Sequence, residues 1–92
     1  MFPHSLLRAD DVIARRGRSR AQLYVDIKNG TMTPPVRIGP NKTLSAWPER
    51  ELEMLNAAEI GGASKEELQA LVKQLIAKRA ELKPRISMGA AA

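Results

Sequence analysis

The spacing of apolar residues changes several times along this chain, and each change marks an element. Leu6 and Leu7 precede Val12 and Ile13, so a first helix is expected, capped by Asp10 or Asp11, running to about Arg16 and stopped by Gly17. Ser19 followed by Gln22 is a capping-box pattern, which starts a second helix at Arg20. It continues to Asn29-Gly30, where the glycine tolerates the left-handed conformation that ends helices. With only a few residues between them, the two predict a helix-turn-helix.

Beyond Gly30 the pattern turns extended. Pro34 and Pro35 forbid helix, Val36 to Ile38 reads as a short strand, Gly39 to Lys42 as a turn, and Thr43 to Ala46 as a returning strand. The result is a small hairpin, or wing. Trp47-Pro48 then opens a third helix, with Glu49, Glu51 and Glu53 near the positive end of its dipole and Gly61-Gly62 as its stop. Leu52, Leu55 and Ile60 are expected on its inner side, and Trp47 is expected as a core anchor where the layers close.

Ser64 with Glu67 forms a second capping box, and Lys65 to about Lys83 reads as a long helix stopped by Pro84. Its apolar stripe, Leu68, Leu71, Val72, Leu75, Ile76 and Leu82, needs a cover. Two covers suit it: the chain's own domain, or the same stripe of a second copy, since a winged module of about 60 residues can be complete without this helix. The fold class expected is therefore mainly α with a β-hairpin wing: a winged helix-turn-helix over residues 6–60, a helix over 64–83 as a possible dimerisation element, and a flexible small-residue tail over 84–92.

Charge sharpens this division. Residues 1–45 carry eight basic and three acidic side chains, whereas residues 46–92 carry seven of each, so the whole net charge of +5 lies on the first half. Such asymmetry suits a module that faces a polyanion. On the second helix Leu23 and Ile27 turn inward with Tyr24 at their edge, leaving Ala21, Gln22, Val25 and Lys28 outward. Gln22 can bond bidentately to an adenine edge, while Ala21 and Val25 can touch thymine methyls. Arg18, Ser19 and Arg20 at the helix entrance suit backbone phosphate, as does the Tyr24 hydroxyl from the rim. Arg15 and Arg16 suit phosphate or simply the negative end of the first helix dipole. Arg37 and Lys42 on the wing can approach phosphates or the minor groove, unless the wing is a plain structural hairpin.

Other chemistries find little material. The chain has no cysteine and one histidine, His4, so neither a disulfide framework nor a zinc site is expected, and no cofactor. No histidine neighbours a serine in sequence and no glycine-rich phosphate loop is present, so an enzyme is not expected. No stretch approaches the ~20 apolar residues of a membrane span and Met1 to Leu7 lacks a signal-peptide core, so a cytoplasmic protein is expected.

Over Leu7 to about Leu55 the sequence resembles the AlpA family of small phage and prophage regulators, relatives of excisionases and MerR-type winged helices. The resemblance rests on Leu7-Arg8 and Val12, Gly17-Arg18-Ser19-Arg20, Leu23-Tyr24, Ile27 and Gly30, Pro35-Val36-Arg37-Ile38-Gly39, and Trp47 ahead of Glu51-Leu52. It implies sequence-specific binding of double-stranded DNA, transcriptional control of mobile-element genes and, in some members, help to an integrase during excision. Val25 and Asp26 stand where members often carry a basic residue, Met54-Leu55 occupies the region of a usual second tryptophan, and the last helix extends past the usual domain. Three roles follow as expectations: a regulator, dimeric or higher, reading DNA through residues 20–28; an excisionase-type architectural factor beside a recombinase; and a module docking on another phage protein through its last helix.

Overall fold

The computed structural model describes residues 4–83. The tail expected over 84–92 lies outside them. The elements run β1 (Leu6–Leu7), α1 (Ala9–Arg16), α2 (Arg20–Asn29), β2 (Val36–Ile38), β3 (Leu44–Pro48), α3 (Glu49–Ile60) and α4 (Lys65–Leu82). The protein is thus mainly helical with a small antiparallel sheet of order β1-β3-β2.

Glycine sets the two helix ends of the first half. Gly17 (φ 65°) and Gly30 (φ 80°) take the left-handed conformation, and their N–H groups bond back into α1 and α2. A side chain is strained there, which is why glycine ends both helices. The start of α1 differs from expectation. Arg8, not Asp10 or Asp11, occupies the cap and makes no side-chain bond, because Leu6–Leu7 is a strand that delivers the chain directly into the helix. Asp10 and Asp11 lie in the first turn, where the dipole favours them.

Leu7 pairs with Trp47 and Leu6 with Pro48, so β1 lies on the edge of β3 opposite β2, and Ser5 O accepts from Glu49 N at 2.8 Å. This pairing explains a second difference: Trp47-Pro48 closes β3 instead of opening α3, and Pro48 is the cap of a helix that begins at Glu49. Trp47 is fully buried as the expected anchor, its indole N–H donating to Thr33 O at 2.9 Å. Ile60 departs from the expected inner side of α3. It is 87% exposed, since Leu52, Leu55 and, in the last turn, Ala58 define that side and Ile60 projects away from them.

One core joins all of this: Leu7, Val12, Leu23, Met32, Trp47, Leu52 and Leu55 with Leu68, Val72 and Leu75 of α4. The last helix therefore covers its stripe with its own domain. Leu68, Val72 and Leu75 are buried there and Leu71 packs against them, so these four are not a free dimerisation stripe and 64–83 shares one core with 6–60. Ile76 and Leu82 remain exposed. The full capping box of Ser64 and Glu67 is formed, and Arg79 anchors the far end of α4 through Glu51 and Pro34 O, each at 2.7 Å. No described helix is long and apolar enough to cross a membrane.

Candidate nucleic-acid interface

Two faces of α2 follow from its burial. Leu23 is buried and Ile27 half-buried against the core, while Ala21, Gln22, Tyr24, Val25 and Lys28 are exposed. These five recur at three- and four-residue spacings and so share one outward surface. Ser19 caps the helix, its Oγ accepting from Gln22 N at 3.1 Å. Only half of the capping box forms, because the Gln22 side chain does not turn back to Ser19. Its Nε2 donates to Asp26 Oδ1 at 2.7 Å.

Asp26 is accordingly not part of the outward face. It is 9% exposed and gathers two side chains, Gln22 on Oδ1 and Arg18 on Oδ2, the latter from Nε at 3.0 Å. Arg18 extends further, to Glu59 through Nη2 at 2.7 Å and to Arg16 O through Nη1 at 3.2 Å. The two carboxylates beside it, Glu59 first and Asp26 second, raise the Arg18 pKa further and keep the guanidinium charged. For Glu59, partial burial pushes the carboxyl up, but hydrogen bonding from Arg18 and the charges of Arg16 and Arg18 outweigh it and hold the group below its ordinary value.

The basic residues of the sequence cluster thus separate. Arg16, expected at phosphate, has a side chain only 2% exposed, bonded to Asn56 Oδ1 at 2.7 Å and paired with Glu59. It joins α1 to α3 and offers nothing to a ligand, a correction whose cause is the carboxylate and amide that α3 brings beneath the end of α1. Arg18 stands half-committed between Asp26 and Glu59. Arg20 pairs with Asp10 and Arg15 with Glu49, both across exposed surface where such pairs contribute at most about 1 kcal/mol, so their arginines exchange readily for another anion. Lys28, Arg37, Lys42 and Arg8 are exposed and have no ion pair among the described residues.

The hairpin presents its cations by strand alternation. Val36 and Ile38 are half-buried, whereas Arg37 between them points outward opposite Ser45. Lys42 sits in the turn at φ 56°, with its N–H bonded to Gly39 O at 3.1 Å. Among the described residues no group of three or more acidic or histidine side chains is placed to hold a metal.

Sequence reasoning overlooked Asp26 as a hub, although its i, i+4 spacing from Gln22 was a usable signal. It also overlooked Arg8. The roles of Asn56 and Glu59 had no local signal, as both lie about forty residues from the arginines they hold. Comparison with protein-family models, curated proteins and solved structures yields no match to this chain.

Proposed function

We propose that this chain is a sequence-specific DNA-binding protein, with α2 entering the major groove and the β2–β3 hairpin acting as the wing of a winged helix-turn-helix. The observation that carries the reading is the outward face of α2. A short helix seated by Leu23 and Ile27 presents an amide, small apolar side chains, a phenol and a lysine together. That is the mixture a major-groove reader uses: Gln22 for an adenine edge, Ala21 and Val25 for thymine methyls, Tyr24 and Lys28 for the flanking phosphates. Arg37 and Lys42 on the hairpin, without an ion pair among the described residues, supply the adjoining backbone or minor-groove contact. The AlpA-like residues between Leu7 and Leu55 suggest the setting, regulation of genes of a phage or other mobile element.

Binding-site selection with the purified protein, read by sequencing, tests this reading. One enriched motif is expected, bound with an affinity that falls with salt at a log–log slope of about −0.9 per phosphate neutralised. Binding without salt dependence, or without preference over bulk DNA, overturns it. Several protomers filling adjacent sites and shortening the DNA would instead indicate the architectural, excisionase-type role.

A second reading draws on what α4 leaves uncovered. Leu6, Met54 and Leu82 are exposed along an apolar groove between β1, α3 and α4, with Ile76 also exposed on α4. This surface suits a second copy or a protein partner. Charge substitutions at Met54 and Leu82 that abolish function while Gln22→Ala is silent would favour it over DNA reading.

A further inference from the structure

We infer that Asp26 is a specificity-positioning residue, fixing the orientation in which Gln22 meets its base; this rests on the DNA-binding reading above. A glutamine reads adenine with two atoms at once, its Oε1 accepting from the exocyclic amine and one N–H donating to N7. The N–H used lies on the same edge of the planar amide as Oε1, cis to it across the C–N bond. The other N–H, pointing back along the side chain, is left over, and a free glutamine spends entropy on ordering several torsions before it can bind.

In this structure one Nε2 hydrogen is already engaged, by Asp26 Oδ1 at 2.7 Å one helical turn away. Oε1 and the remaining N–H have no intramolecular partner among the described residues, and Gln22 itself is exposed. In the proposed arrangement Asp26 takes the hydrogen that points back along the side chain, which leaves Oε1 and the N–H beside it for the base. Asp26 is in turn held by Arg18 Nε at 3.0 Å on its second oxygen, and Arg18 by Glu59 at 2.7 Å. The guanidinium also offsets the carboxylate charge, without which an acid in this place would repel phosphate. The chain of contacts runs from α3 through the turn to the reading edge, and Asp26 is its last link before the base.

The test is binding-site selection on wild type, Gln22→Ala, Asp26→Ala and Asp26→Asn, with melting temperature recorded for each. Gln22→Ala identifies the A·T pair it reads as the position whose preference disappears. Asp26→Ala is expected to lower the preference at that same pair roughly ten- to hundredfold, the discrimination of one bidentate contact, while affinity for bulk DNA holds or rises. Asp26→Asn keeps one acceptor for Gln22 but turns an amide NH2 toward Arg18, and is expected to keep more of the preference than Asp26→Ala does. An unchanged preference in folded Asp26→Ala, or an equal loss for all sequences, overturns the inference.

The Gln22 side-chain amide of the wild type gives a second readout independent of DNA. Backbone-like nitrogen order parameters of about 0.8, against values below about 0.6 for exposed Gln74, support the positioning role. An amide as mobile as that of Gln74 overturns it. If the wild type binds no DNA and this amide is rigid, the functional reading fails while the Asp26–Gln22 link stands.

Discussion

Four arginines crowd the turn into α2, and what separates them is how deeply each is buried beside its acid. Arg16 is itself buried against half-buried Asn56 and Glu59, so Arg16→Ala removes its packing and both contacts, while Glu59 keeps Arg18, and is expected to cost roughly 1–3 kcal/mol in urea unfolding. Its effect on DNA affinity should track the fraction unfolded and leave the salt slope unchanged. Arg37→Ala is the opposite case: an exposed cation, with no ion pair among the described residues, whose loss should change stability by no more than about 0.5 kcal/mol and reduce the salt slope by about one. Lys42 separates the two quantities most cleanly. Its left-handed backbone costs an L-residue about 1–2 kcal/mol, a strain that glycine relieves, while glycine's extra freedom in the unfolded chain takes back about 0.5–1 kcal/mol. Lys42→Gly should therefore melt at or slightly above the wild type and still lose about one unit of salt slope. An unaltered slope would place the hairpin tip away from the DNA.

Among the elements, α4 decides how the chain's parts belong together. Val72 and Leu75 are almost wholly buried beneath it, so Leu75→Ala should destabilise by about 2–4 kcal/mol and Val72→Ala by somewhat less, whereas Ile76→Ala should stay within about 0.5 kcal/mol. Chemical denaturation settles this, and a single cooperative transition for every variant is expected because one core is shared. A near-neutral Leu75→Ala would mean that α4 is dispensable. The contrast also explains what sequence can reveal. The boundaries of α2 and α4 were legible because Ser19, Gly30 and Ser64 with Glu67 are local signals that act within a turn of the helix they end. β1 was not, since two residues show no period and Leu6–Leu7 is a strand only because β3 is beside it. The same pairing carried β3 on through Trp47 and Pro48, past the proline that locally suggested a helix start. The stripe on α4 was visible, but its residues do not encode which surface covers them. Within the candidate site, the outward set Ala21, Gln22, Val25 and Lys28 followed from the 3.6-residue period. The burial of Arg16 and the inward turn of Asp26 did not, because both depend on α3 passing beneath the turn between α1 and α2.

At the scale of the whole molecule, three arginines of the first half are tied to acids of the second, Arg15 to Glu49 and both Arg16 and Arg18 to Glu59, and pH exposes that dependence. Glu59, in α3, bridges Arg16 of α1 and Arg18 of the turn, and its carboxyl is held below the ordinary value of 4.5. Near that pH the unfolded chain binds a proton that the folded chain does not, so stability rises with pH. The contribution is fully present above about 4.5 and is lost as pH falls through the lower folded value. Glu67, held down by the Ser64 backbone N–H, titrates in the same sense. Glu59→Gln keeps the shape and an acceptor for Arg18 but removes the charge. Its unfolding free energy should be lower than that of the wild type at pH 7, and the difference should shrink steadily below pH 4.5 as the wild-type carboxyl becomes protonated. The slope remaining in the variant over that range then belongs to Glu67 and to other carboxylates. Parallel curves for the two proteins from pH 7 down to pH 3 would show that the Glu59 bridge does not hold the halves together. Converging curves would make it the electrostatic fastening between the proposed DNA-reading half and the helices that support it.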